Sequence, residues 1–434
     1  MAHVEQLPDG TWRARYRRPN GRVASQSGFL NRTEAARWGA DQEAMIRRSL
    51  WIDPRDGDTQ FGQFAHDWLS ALRPRLQAST VAKYECYLAN QILPQWRSWN
   101  LSTIFNSYVE IEAWVSQLHT DYAQQTVSSI FSVFSSILSA AARARMIPAN
   151  PSSGVRVAGQ QQACDRLIAT PVQALQAAMR VADLGLGLRG FTLCVLNLYT
   201  GARWSELVGQ QRHEYDPVRK AITIRHPLRE TAGKVSKPNQ AGGAGPDTSR
   251  VRRRRRKTTT ATKTPAGART VVLAPSIAEL YERALDSHDH EFVLCTARGR
   301  PWRRSNFTQR YWRPAWDGSD GDRQSWQPLL PEFTFHEGRH THASWLAEDG
   351  IPEVARRARL GQKMAGIARV YDHVTPEMEH QVCQTLQARW NHALTVINDT
   401  ERRWLTERYP WLTLPRDGEV RARSPHFDPI GPAD

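Results

Sequence analysis

Phe335-His336-Glu337-Gly338-Arg339-His340-Thr341-His342 is the densest run of titratable side chains in the sequence, and it admits two readings. Taken literally, His336-Glu337-x-x-His340 is the zinc-peptidase pattern: two imidazoles on one helix face, with a carboxylate placed to activate water. Three features oppose it. Gly338 and Arg339 lie between the two ligands, and a guanidinium there repels a cation. The extended form needs Gly and His at 343 and 346, where this chain has Ala343 and Leu346. A peptidase also gives no reason for a net charge of +15. The second reading pairs His336 with Arg339. Three residues apart, they share a helix face. A guanidinium binds two non-bridging phosphate oxygens while an imidazole manages a proton, so the pair suits a phosphodiester.

Other stretches fit around that pair. Thr200-Gly201-Ala202-Arg203-Trp204-Ser205-Glu206-Leu207 sets an arginine at a glycine turn before a helix, with Glu206 three residues on. Lys263-Thr264-Pro265-Ala266-Gly267-Ala268-Arg269-Thr270-Val271-Val272-Leu273 sets a lysine at a hairpin tip. Leu360-Gly361-Gln362-Lys363 leads to Ala368-Arg369-Val370-Tyr371-Asp372-His373-Val374. Singly, each has a bland reading: a packed tyrosine, a surface arginine, a turn lysine, satisfied core histidines at 336, 340 and 342. In this order and spacing, over most of residues 165–395, the sequence resembles the tyrosine recombinases, the integrase family of phages and integrative elements.

The resemblance implies roles position by position. Tyr371 matches the nucleophile that attacks the scissile phosphate, leaving a 3′-phosphotyrosyl link and a free 5′-hydroxyl. Arg203 and Arg339 match the phosphate-clamping arginines. Lys263 matches the lysine that protonates the leaving 5′-oxygen, the Lys-Thr-x-Ala-Gly context choosing it over Lys257. His336 matches the group that helps accept the tyrosine proton, and Glu206 the acid that orients the first arginine. His340 would buttress the site. Gln362 stands where the family usually has His or Trp; an amide still donates to a phosphate oxygen. The covalent intermediate keeps the bond energy, so the implied reaction takes no cofactor, no metal and no ATP.

The implied fold class is mainly α with small β-sheets, in three domains and an extension. Residues 1–55 read as a three-stranded sheet plus helix. Trp12, Ala14 and Tyr16 alternate with Arg13, Arg15 and Arg17, the period of a strand with one apolar and one cationic face. Arg22–Phe29 is the return strand, and Asn31 or Thr33 caps a helix to about Leu50. Such a ribbon, with its arginines on DNA, resembles the arm-type module of the larger integrases. Residues 58–152 read as a helical bundle: Phe61, Phe64, Trp68 and Leu72; then Val81, Tyr84 and Leu88 after a Thr80 cap; then Ile111, Trp114, Val115 and Leu118; then Val127, Ile130, Phe131, Phe134, Leu138 and Ala141. It ends in Arg143 and Arg145, which face DNA if this is the core-binding domain. Residues 165–395 read as the α+β catalytic domain. Thr170-Pro171 opens a helix, Phe191–Tyr199 is a buried helix, and Ala221–Arg225 and Thr270–Leu273 are strands. Ser276 and Glu279 form a capping box. The insertion at about 227–262 carries Arg252, Arg253, Arg254, Arg255 and Arg256 in a run of seven positive charges, a phosphate grip sensitive to salt. The helix after Thr375-Pro376-Glu377, with Met378, Val382, Leu386 and Trp390, packs on a neighbouring protomer if the family pattern holds, or within the chain. Residues 396–434 are an unassigned extension.

Composition agrees. Lys and Arg number 58 against 43 Asp and Glu, and so basic a chain of this length takes a polyanion as partner. The five scattered cysteines show no CxxC pair, which fits a reducing cytoplasm rather than a disulfide framework. No apolar run reaches the ~20 residues of a spanning helix, so no membrane is expected. The resemblance implies double-stranded core and arm attachment sites as partners, a homotetramer on DNA working through a Holliday junction, and a directionality factor or host bending protein beside it. The rivals are a non-catalytic DNA-binding regulator of the same fold, a type IB topoisomerase and the zinc peptidase.

Overall fold

The computed structural model describes residues 2–19, 21–48, 51, 56–157, 166–231, 234–236, 268–321, 324–362 and 374–412. The chain divides into two compact units, Met1–Ala163 and Cys164–Asp434, and is mostly helical with small sheets, the class read from the sequence.

In the first unit, β1 (His3–Gln6), β2 (Trp12–Arg17) and β3 (Val23–Phe29) form an antiparallel sheet in that order. Its period-two pattern buries Ala14 and Tyr16, and Tyr16 meets Trp38 of α1 (Arg32–Arg47) edge-on at 5.5 Å. Asn31 caps α1, accepting the Glu34 N–H at 2.8 Å. A separate core forms between α2 (Phe61–Leu72), α3 (Ala78–Tyr87), α4 (Leu93–Trp96), α5 (Leu101–Phe105), α6 (Tyr108–Asp121) and α7 (Gln124–Arg143). Its centre is aromatic: Trp96 contacts Trp99, Trp114 and Phe134 at 5.0, 5.8 and 5.3 Å. Thr80 is not the cap of α3. The helix starts two residues earlier, after the extended residues Leu76 and Gln77, with Gln77 at the cap position.

In the second unit, α8 (Pro171–Val181) opens on a capping box between Thr170 and Gln173 with proline at its first position. A turn at Gly185 (φ 96°) and Gly187 (φ 54°) leads into α9 (Gly187–Thr200), the buried centre of the domain. After α10 (Trp204–Leu207), β4 (Tyr215–Asp216), β5 (Ala221–Ile224) and β8 (Arg269–Val272) make an antiparallel sheet. The register pairs Ile222 with Val271 and Ile224 with Arg269. Between β5 and β8 runs a hairpin of β6 (Arg229–Thr231) and β7 (Lys234–Ser236); Lys257, Lys263 and Arg252 to Arg256 lie outside the described residues. The helix α11 (Pro275–Asp286) begins at proline, so Ser276 is already inside it, and its N–H donates to Gln387 at 2.9 Å. The expected capping box of Ser276 and Glu279 is therefore absent. The short α12 (Arg304–Phe307) and α13 (Arg313–Asp317) precede a hairpin of β9 (Ser319–Gly321) and β10 (Gln324–Trp326), then α14 (Phe335–Glu348) and α15 (Glu353–Leu360).

The helix Pro376–Val396, capped by Thr375, packs within this chain: Val382, Leu386, Trp390 and Ala393 are buried in its own domain core. Arg389 bonds Asp349 at 2.8 Å through both Nε and Nη2, and Glu348 at 2.9 Å. In the extension, the helix Asp399–Arg408 docks on α8 and its turn. Trp404 Nε1 lies 3.0 Å from each Asp183 carboxylate oxygen, and Arg408 pairs with the same group at 2.9 Å. By length and composition α7 and the α8–α9 stretch could each cross a bilayer, which the apolar-run reading did not foresee. Both instead supply their domains' cores, and α9 buries Thr192, Asn197 and Thr200 as well.

Candidate active site

Three chain segments meet around Arg339. Thr334 and Glu337 close a capping box at the start of α14, and this fixes the helix that carries His336, Arg339, His340 and His342. The Glu337 carboxylate accepts the Thr334 N–H. The carboxylate that the zinc reading requires as a base is therefore committed to the helix end. Among the described residues, no cluster of His, Cys, Asp and Glu is arranged to hold a metal.

Arg339 is buried, at 4% exposure. Its Nη1 donates to the Gly201 carbonyl at 2.8 Å and its Nη2 to the Leu360 carbonyl. Both acceptors lie at helix C-termini, where backbone carbonyls lack helical partners and the helix dipole favours a cation. Gly201 is left-handed (φ 61°) and closes α9; Gly361 is left-handed (φ 62°) and closes α15. Gly201 also has no room for a side chain, since a Cβ would stand 2.6 Å from Leu360 and 2.8 Å from His342. Burial, then the nearby charges of Arg203 and Arg269, lower the Arg339 pKa to about 10, with Glu206 acting the other way. It stays a cation at neutral pH.

Arg203 follows two residues after Gly201, at the N-cap of α10. Its backbone N–H donates to Glu206 Oε2 at 2.9 Å and its Nη1 to Oε1 at 2.8 Å. The guanidinium remains 43% exposed while the Glu206 carboxylate is 5% exposed, so the cation faces outward and its anion stands behind it. Burial pushes the Glu206 carboxyl up, but hydrogen bonds and charge from Arg269, joined by Arg203, outweigh that and hold it below its ordinary value. Arg203, Trp204, Arg304 and His336 line one recess of about 390 Å³.

His336 stands exposed at that recess. Partial burial, then the charges of His340, Arg339, Arg203 and Arg304, lower its pKa, so at neutral pH it is a neutral imidazole able to accept a proton. His340 meets it edge-on at 5.0 Å, and its Nδ1 accepts from Arg166 at 3.0 Å. His342 lies behind the site, fully buried. Its Nδ1 donates to the Leu198 carbonyl at 2.8 Å while its Nε2 accepts from Arg359 Nε at 3.1 Å. A carbonyl on one side and a guanidinium on the other fix one neutral tautomer, and burial drives the pKa well below the ordinary histidine range.

Arg203, Glu206, His336 and Arg339 thus come together. Gln362 is exposed, one residue past the left-handed Gly361, its N–H donating to the Arg357 carbonyl at 2.9 Å. Tyr371 and Lys263 lie outside the described residues. In the first unit, Arg13 and Arg15 both pair with Glu5, at 3.1 and 2.8 Å, and Arg17 is exposed. Arg143 and Arg145 are exposed at the end of α7. Sequence reading missed two residues. Arg269 bonds both oxygens of Glu206, and Arg359 bonds His342 and the carbonyls of Val272 and Tyr199. Their available signal was an arginine beside an apolar strand and another just before a helix-ending glycine.

Residues 166–378 match the phage integrase family. A Mycobacterium tuberculosis protein described as a prophage phiRv2 integrase is 22% identical over 394 residues, covering 89% of this chain and 95% of the relative. A Caldanaerobacter subterraneus protein described as a XerC-like tyrosine recombinase is 21% identical over 389 residues, covering 85% and 92%. Among solved structures, the Tn1549 transposon integrase in complex with a circular intermediate DNA superposes with a TM-score of 0.53 at 16% identity, over 75% of this chain and 99% of that one. A lambda integrase tetramer bound to a Holliday junction gives 0.50 at 15%, over 86% and 98%. At such identities the structural likeness is one of fold. Sequence match and fold agree: residues 166–378 of this chain carry a phage integrase family domain.

Proposed function

We propose that the protein is a site-specific integrase that cuts and rejoins DNA through a phosphotyrosyl intermediate at Tyr371. The observation that carries the reading is the joint placement of Arg203 and Arg339, one facing outward from its carboxylate and the other held by two carbonyls, beside a neutral His336. In-line attack on a phosphodiester builds negative charge on the non-bridging oxygens, and a preorganised donor there is typically worth about 3–4 kcal/mol. A phenol of pKa ~10 needs cations and a proton acceptor to act as a nucleophile at neutral pH. Arg203 and Arg339 supply the charge, His336 accepts the proton, Lys263 returns one to the leaving 5′-oxygen, and Gln362 donates to the phosphate.

The core site would be bound by the helical bundle and by the catalytic domain, and arm sites by the N-terminal sheet. Strands would be exchanged in pairs by a tetramer through a Holliday junction. The element is a phage or other mobile DNA, and the protein works in the cytoplasm on double-stranded DNA, with a directionality factor or host bending protein setting direction. The test is recombination between two cloned attachment sites in EDTA. Product formed without metal supports the reading. DNA binding with no strand exchange favours the non-catalytic regulator, and relaxation of supercoils without a second specific site favours a topoisomerase.

A further inference from the structure

Two guanidinium groups that face one phosphate repel each other, so each must be held from behind. Glu206 stands behind Arg203, yet it serves two arginines. Arg269, its side chain 6% exposed, reaches Glu206 Oε2 through Nη2 at 2.9 Å and Oε1 through Nη1 at 3.3 Å. The same guanidinium donates from Nε to the Arg359 carbonyl at 2.6 Å. The next carbonyl along, that of Leu360, holds Arg339. One end of α15 therefore receives one arginine from β8 and one from α14. A chain of contacts runs from Arg203 through Glu206, Arg269 and the Arg359–Leu360 backbone to Arg339.

We propose that Arg269 is a positioning residue of the phosphate clamp: without meeting DNA, it fixes the Arg203 guanidinium relative to Arg339 through Glu206 and the end of α15. The inference rests on the recombinase reading above. The planar fork of arginine suits the task, because it spans a carboxylate and a carbonyl at once where an ammonium is a single point charge. Without Arg269, Glu206 keeps only Arg203, a side chain 43% exposed and free to follow the carboxylate as it shifts. The Arg359 carbonyl also loses a donor.

The test compares full-length wild type with Arg269→Gln, Arg269→Lys, Glu206→Gln and the Arg269→Gln/Glu206→Gln double variant. Each is given, in a single turnover, a nicked duplex carrying the junction between the element and its chromosome. Covalent adduct is followed against time and pH, with affinity for the same DNA measured beside it. Misplacing a catalytic group by about an ångström costs on the order of a hundredfold in rate, and that is the loss expected for Arg269→Gln, with affinity nearly unchanged. Arg269→Lys recovers part of it. The double variant is much less slowed than the product of the two single losses, because the link to Arg203 runs through the one Glu206 carboxylate in both. With Arg269 gone the Glu206 carboxyl titrates higher, so the variant's rate falls on the acid side where the wild type is still flat; lost folding alone would lower the rate in parallel at every pH. Cleavage by Arg269→Gln at the wild-type rate, multiplying effects in the double variant, or parallel pH profiles overturn the inference. Should Arg269→Gln not fold, Arg269→Lys carries the same comparison. If wild type forms no adduct, the recombinase reading and this inference fall together; if wild type cleaves and the Arg269 variants cleave equally well, only the inference falls.

Discussion

Arg339 is held in place before any phosphate arrives, since its two carbonyl partners belong to the ends of α9 and α15. Arg339→Lys keeps the charge but cannot span both acceptors. Its covalent cleavage should fall by about 3–4 kcal/mol of barrier, a loss of more than a hundredfold, read in a single turnover with binding measured separately. Gly338 is constrained differently: a Cβ there would stand 1.8 Å from Asn197 Oδ1. Asn197 is buried and its amide donates to the Phe335 carbonyl at 3.0 Å. Gly338→Ala should therefore destabilise the domain by about 1–3 kcal/mol through overpacking, seen as a lower denaturation midpoint. His342 gives a pH signature. It is neutral in the fold and titrates well below its ordinary value, whereas the unfolded chain takes up a proton near pH 6.5. Its share of stability is whole above that point and is lost as pH falls through it. Denaturant midpoints measured down the acid side should drop for wild type and drop less for His342→Gln. Much of this site was legible. Arg203, His336 and Arg339 announce themselves by spacing, because the proposed chemistry needs those types at fixed offsets on helices and turns. Arg269 and Arg359 did not, since their partners are backbone carbonyls and a carboxylate brought near only by tertiary packing.

Helices with strict apolar spacing were read closely, and their ends less so. The stripe on α7 buries Val127, Ile130, Phe134, Leu138 and Ala141 as its period requires. The caps expected at Thr80 and Ser276 are misplaced. At Ser276 the reason is proline: Pro275 fixes φ and starts the helix before the hydroxyl residue can cap it. At Thr80 the helix begins at Ala78 with an uncapped Gln77, for which no residue type nearby gave a signal. The end of α7 carries another consequence. The Arg145 N–H donates to the Ala142 carbonyl and the Met146 N–H to that of Ala141, the paired bonds of a Schellman ending. Arg145 takes the left-handed position, φ 60°, that usually belongs to glycine. Arg145→Gly should stabilise the bundle by about 1 kcal/mol while weakening affinity for core-site DNA, provided Arg145 contacts it. Thermal melting and DNA titration of one variant read both effects. The helix Pro376–Val396 depends on Arg389, 4% exposed, for its attachment to Asp349, 13% exposed. Removing one partner of a buried pair typically costs about 3 kcal/mol or more, so Arg389→Ala should lower the denaturation midpoint of the catalytic unit well beyond a surface substitution.

Across the molecule, the charge of +15 sets how the protein would first meet DNA under the proposed function. Binding that neutralises phosphates releases counterions, so log affinity falls linearly with log salt, with a slope near −0.9 for each phosphate engaged. Deleting the basic run 250–257 should flatten that slope for non-specific duplex and leave cleavage of a saturated core site intact. The fold itself follows from ordinary constraints: two separate apolar cores, a buried α9 and a small sheet that delivers Arg269 to the same helix end as Arg339. The proposed function turns on covalent chemistry at one phenol, that of Tyr371. Wild type and Tyr371→Phe can each be incubated in EDTA with a nicked core-site duplex that traps the cut strand, and the adduct digested for peptide mass mapping. A DNA 3′-end attached to residue 371 in wild type, and no adduct in the variant, is the predicted result. Wild type that binds the duplex without ever becoming attached, or a variant that attaches as well as wild type does, would contradict it.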